Sequence, residues 1–80
     1  MKPEKLLERI RTDKHNVRFW DFVRLVEAVG FKFAGQVGSH RGYRHPCGAI
    51  LNLQDRDGEA KPYQIGQFLQ LVGEYGLKMR

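Results

Sequence analysis

Glycine and proline cut the middle of this chain into pieces too short for helices, and that punctuation constrains the fold more than any other feature. Gly30 follows a segment with apolar residues at every third or fourth position, Gly35 and Gly38 bracket a turn, and Pro46-Cys47-Gly48 marks another break. Between the breaks the side chains alternate. Phe31-Lys32-Phe33-Ala34 reads as a half-buried strand, His40 to His45 as a second, and Ala49 or Ile50 to Gln54 as a third. Proline ends the second because it has no N–H to give to a ladder, and Asp55-Arg56-Asp57-Gly58 closes the third as a turn.

Helical periodicity occupies the flanks. Pro3-Glu4 suits a helix start, with Leu6, Leu7 and Ile10 on one face up to Arg11, before the polar run Thr12-Asp13-Lys14-His15-Asn16. A second helix is expected from Trp20 to Val29, where Phe22, Val23, Val26 and Val29 form the apolar stripe and Asp21, Arg24 and Glu27 the wet side; Gly30 stops it. Lys61-Pro62 opens the last helix, whose stripe is Ile65, Phe68, Leu69, Val72 and Tyr75, and Gly76 caps it. The order α, α, β, β, β, α defines an α+β class. At 80 residues the chain makes one domain, with no internal repeat and no linker long enough to separate a pair of domains.

Cys47 is alone, so an internal disulfide is impossible and a reducing compartment is expected. The N-terminus leads into charged residues and no apolar run is long enough to span a membrane, so the expected location is cytoplasmic. A formal charge of +5 favours an anionic partner, and its distribution says more than its total. All nine acids lie outside Ala28 to Gln54, a stretch that carries Lys32, Arg41, Arg44, His40 and His45.

Gly38-Ser39-His40 falls inside that acid-free stretch. Histidine both accepts and donates a proton near neutral pH, and surrounding cations would hold a polyanion, which points to RNA. If Phe31, Phe33, Tyr43, Leu51 and Leu53 face the core, then Lys32, Ala34, His40, Gly42, Arg44, Asn52 and Gln54 face outward. Gly42, between His40 and Arg44, leaves room for a phosphate to approach the backbone. RNA is cleaved without a metal when its 2'-OH attacks the adjacent phosphorus, given a base for that proton and an acid for the departing 5'-oxygen. His40 is the candidate for one of those roles, with Arg44, Lys32 and Arg41 stabilising phosphate charge, Ser39 positioning a phosphate and Gly38 allowing the tight turn. His45 is a candidate for the second role, although strict alternation puts it on the other face.

Plainer readings stand beside this one. A histidine at a strand start is structural in most proteins, and Arg41 and Arg44 fit an ordinary solvated edge. His40, His45 and Cys47 are chemically able to ligate zinc, but there is no Cys-x-x-Cys pair and the two histidines are expected to face opposite ways. Neither a metal nor another cofactor is expected. Gly35, Gly38 and Gly42 do not have the spacing of a nucleotide-binding fingerprint.

The run Gly38-Ser39-His40-Arg41-Gly42-Tyr43-Arg44-His45-Pro46 has characteristic surroundings. Before it comes Leu25-Val26-Glu27-Ala28-Val29-Gly30-Phe31, and after it Leu51-Asn52-Leu53 and Ala60-Lys61-Pro62-Tyr63-Gln64. Taken together these segments resemble the HicA toxins of bacterial toxin-antitoxin pairs, over roughly Val17 to Leu77. The resemblance implies a domain like those that bind double-stranded RNA, with helices on one face of a three-stranded antiparallel sheet in the order α-β-β-β-α. Residues 1–16 would then be an N-terminal helical extension and residues 17–77 the core. It further implies an mRNA-cleaving toxin whose catalytic histidine falls on His40 and whose partner is a HicB-type antitoxin that masks the site. The alternatives are a non-catalytic RNA-binding domain and an antitoxin-interaction module of the same fold.

Overall fold

Proline at the first helical position starts two of the three helices: α1 (Pro3–Ile10) and α3 (Pro62–Tyr75) in a computed structural model that describes residues 1–80. Between them lie α2 (Phe19–Ala28), β1 (Lys32–Val37), β2 (His40–Arg44), β3 (Ile50–Arg56) and β4 (Glu59–Ala60). The architecture is α+β, three helices with one antiparallel sheet in the order β1-β2-β3-β4. Gly76 ends α3 in the left-handed region, and its N–H donates to Val72 O.

The sheet has four strands where three were expected. β3 runs past Gln54 to Arg56, and Asp57-Gly58 then reverses the chain so that Glu59 and Ala60 pair with Arg56 and Asp55. Asp57 (φ 53°) and Gly58 (φ 87°) both take positive φ, the requirement of a two-residue hairpin turn of the primed type. Asp55 Oδ1 accepts the Gly58 N–H at 2.7 Å and holds the turn. The first turn also differs. β1 passes through Gly35, where the register shifts between Phe33 and Gly35, and ends only at Val37. With φ at 143°, Gly35 supports a bulge inside the strand, and Gly38-Ser39 alone make the turn.

One core joins all three helices to one face of the sheet. Leu6 and Ile10 of α1, Phe22 and Val26 of α2, Phe68 of α3 and Tyr43, Leu51 and Leu53 of the sheet belong to a single buried cluster. α1 is therefore packed into the domain, and the C-terminal tail returns to it through Leu77 and Met79. Arg80 N donates to Ala28 O at 2.8 Å. Phe33, expected in the core, is only half covered, because it lies on the edge strand with no further strand beside it.

Gly30 controls how closely α2 approaches β2. Its φ is 115°, and a Cβ there would stand 2.9 Å from His45 Nε2 and 2.8 Å from Arg80 Nε. No side chain fits without moving the histidine or the tail.

Candidate functional site

Directly opposed residues in an antiparallel sheet share a face, so the strand register places the outward side chains in rows. Lys32, Arg44 and Ile50 form one row, Gly35, Gly42 and Asn52 the next, and Val37, His40 and Gln54 the last. The middle row has almost no side-chain bulk. The result is an open depression of about 430 Å³, with Ala34, Gly35, Gly42 and Asn52 in its lining, His40 at one end and Arg44 at the other. None of its lining residues is acidic. Four residue steps along β2, roughly 13 Å of backbone, separate the two ends, so His40 and Arg44 bracket the depression rather than converge on one atom.

Gly38 makes the turn into His40 with φ at 60°, and its carbonyl accepts from Gln36 Nε2 at 2.9 Å. Ser39 follows, exposed, with its hydroxyl 3.0 Å from Gln54 Nε2. Gln54 is the cross-strand neighbour of His40, and its Oε1 accepts a hydrogen bond from Lys61 Nζ. Its backbone N–H donates to Gln64 Oε1 at 3.0 Å, which explains why a glutamine is buried in α3. A chain of side chains thus runs from Ser39 in the turn, through Gln54 on β3, to Lys61 at the start of α3, and it adjoins His40.

The sequence marks Ser39 as a phosphate-positioning residue and puts Gln54 on the outward face. It allows Lys61 as a phosphate contact near a helix start, although a loop lysine without a partner is the plainer reading. It does not show that the three are joined. The available signal was the Asp57-Gly58 pair: taken as a hairpin turn, it would have folded Lys61 back beside Gln54.

Of the six residues singled out from the sequence, Lys32, Gly38, Ser39, His40 and Arg44 lie on the outward face or in the turn that leads onto it. Arg41 does not join them. It is paired with Gln36 and Leu53 on the helix side, where its Nε donates to Tyr43 OH at 3.0 Å and its Nη1 to Gln36 Oε1 at 3.1 Å. Alternation along β2 accounts for this, since neighbours of His40 and Gly42 must point the other way.

His45 also faces the helices. Its Nδ1 accepts the Cys47 N–H at 3.0 Å, which makes the other nitrogen the donor, to Val29 O at 3.2 Å. The ring packs edge-on to Phe31 with centroids 5.2 Å apart. This histidine fastens the end of β2 to α2, with both ring nitrogens occupied. No three His, Cys, Asp or Glu side chains converge as metal ligands.

Away from the depression, the hydrogen bond from the His15 N–H holds the Asp13 carboxyl below its ordinary value of 3.8. A carboxyl depressed by folding adds stability above its unfolded pKa and loses it as pH falls through the folded value, so this loop tie is intact at neutral pH and fails only in acid.

No family model matches the chain, and no match was found among curated proteins or solved structures.

Proposed function

We propose that this chain is an endoribonuclease of the HicA type, an mRNA-cleaving toxin that needs no metal and is silenced by a HicB-type antitoxin. The observation that carries the reading is an exposed histidine next to Ser39 and across the strands from Gln54, the side chain that links Ser39 to Lys61, at the end of a depression with no acid in its lining. A domain of the kind that binds double-stranded RNA, in a cytoplasmic setting, belongs to the same reading.

In this mechanism RNA crosses the middle row, running from the His40 row to the row of Lys32 and Arg44, and Gly35 and Gly42 let the sugar-phosphate backbone approach the sheet. His40 takes the proton from the 2'-OH or delivers one to the departing 5'-oxygen, one role per step. Lys61 and Ser39 hold the scissile phosphate, and their charge and donor hydrogen offset the negative charge that builds on it. Lys32 and Arg44 hold a neighbouring phosphate at the far end. These two cations oppose one another across the strands, and neither is in an ion pair within the chain. Like charges so placed repel, and an anion between them removes the repulsion. An acidic antitoxin segment would do the same, and would block the substrate by occupying Arg44.

Two measurements test this reading. Purified protein is expected to cut single-stranded mRNA in excess EDTA; cleavage that disappears and returns only with Mg²⁺ or Zn²⁺ would reject the metal-free mechanism. Binding of RNA to the His40→Ala protein is expected to weaken with salt. Three phosphate contacts, from Lys32, Arg44 and Lys61, give a slope of about −2 in log affinity against log salt for a single strand. A flat response removes the basic face as the main RNA contact. Binding with that slope but no cleavage by the parent protein would favour a non-catalytic RNA-binding domain.

A further inference from the structure

The two edges of the sheet are treated differently. At the β4 edge the chain covers its own backbone: Arg18 bridges to Glu59, Ala60 N donates to Val17 O at 2.9 Å, and Phe19 N donates to Gly58 O at 2.9 Å. β1 has β2 on one side and no strand on the other. In an antiparallel pair, residues alternate between bonding the neighbour and turning N–H and C=O outward, so a six-residue edge presents unmet donors and acceptors to solvent.

Apolar surface accompanies that edge. Val37 is 83% exposed, Trp20 53% and Phe33 48%. The Arg41 guanidinium lies among these rings on the helix side, its Cζ 4.4 Å from the Phe33 centroid and 4.9 Å from that of Trp20. Tyr43 OH and Gln36 Oε1 fix its orientation, and no carboxylate of the chain pairs with it. Trp, Tyr and Arg are the side chains that most often dominate protein–protein binding energy.

We infer that the open edge of β1, with Trp20, Phe33 and Arg41 beside it, is a docking surface for an extended acidic segment of a partner protein, which adds to the sheet as a fifth strand. Main-chain hydrogen bonds to β1 give the segment its register, an apolar side chain covers Phe33 and Trp20, and a carboxylate meets Arg41. The exposed rings flank one fixed cation, with Asp21 next to Trp20 in sequence and itself close to Arg24 and the N-terminal amine. That is too little positive charge to favour a polyanion and enough to select a carboxylate. This surface lies on the opposite side of the sheet from His40 and does not depend on RNA cleavage.

The test uses an eight-residue peptide of alternating Val and Glu, titrated into isotopically labelled protein and followed by NMR. The expected result is saturable shifts at the backbone amides of 32–37, the Trp20 indole and Arg41 Nε. The Arg41→Gln protein, checked for folding by thermal melting, should bind about thirtyfold more weakly, the loss typical of a hot-spot arginine. A peptide methylated on alternate backbone nitrogens should not bind. Several results would overturn the inference: no binding, equal binding of a Val-Lys peptide, unchanged binding by Arg41→Gln, or shifts centred on His40 and Arg44. Displacement of the peptide by oligouridylate at Trp20 and Arg41 would overturn it in favour of a nucleic-acid site, and concentration-dependent dimerisation through β1 would do so in favour of a second copy.

Discussion

Replacing His40 with alanine should lower RNA cleavage roughly a hundredfold to ten-thousandfold, the usual contribution of one general acid or base, while the melting temperature changes little. The side chain is exposed on the outward face of β2, so its loss removes little packing. Growth arrest on expression should disappear with the activity. His45→Ala is the informative control because its consequences run the other way. That ring bridges Val29 O and the Cys47 N–H and packs on Phe31, so its removal should lower stability and leave the cleavage rate of the folded fraction near that of the parent. If folded His40→Ala cleaves as fast as the parent, the catalytic assignment is wrong.

The largest effect on stability is expected at Phe68. It is fully buried in α3, edge-on to Phe22 of α2 with centroids 5.4 Å apart and 6.2 Å from the Phe31 ring. Phe68→Ala removes the ring that joins α3 to α2 and to the residue leading into β1, and should cost about 3–5 kcal/mol in transfer energy and cavity. Domains of this size have a total stability of roughly 5–15 kcal/mol, so much of the margin is lost. The urea midpoint should fall by roughly 1 M or more, given slopes of about 1–3 kcal/mol per M for small proteins. A loss below about 1 kcal/mol would mean that the three rings are not the junction described.

The helices could be read from the sequence almost to the residue because local chemistry marks their ends: Pro3, Pro62, Gly30 and Gly76. The outward face was legible for the same kind of reason. Strict alternation put His40, Gly42 and Arg44 together, and the register agrees. What alternation could not supply was the partner of each residue. The bulge between Phe33 and Gly35 arises from pairing with β2, and a glycine there looks like a turn until the opposing strand is known. Arg41 groups with the other cations when charge alone is counted, because a count ignores which side of the strand a residue occupies. The links of the Ser39–Gln54–Lys61 chain span fifteen and seven residues through two hairpins, so no local pattern reveals it.

The sheet order β1-β2-β3-β4 has a temporal consequence. Each strand pairs with the next one made, so no strand must wait for a distant segment before it finds a neighbour. Mixed helix-and-sheet chains with such nearby pairings fold on the order of milliseconds. A main refolding phase lasting many seconds would contradict this picture. Under the proposed toxin function, such speed leaves almost no interval between synthesis and activity, and an inhibitor would have to be present already, made earlier or in excess, when the chain leaves the ribosome.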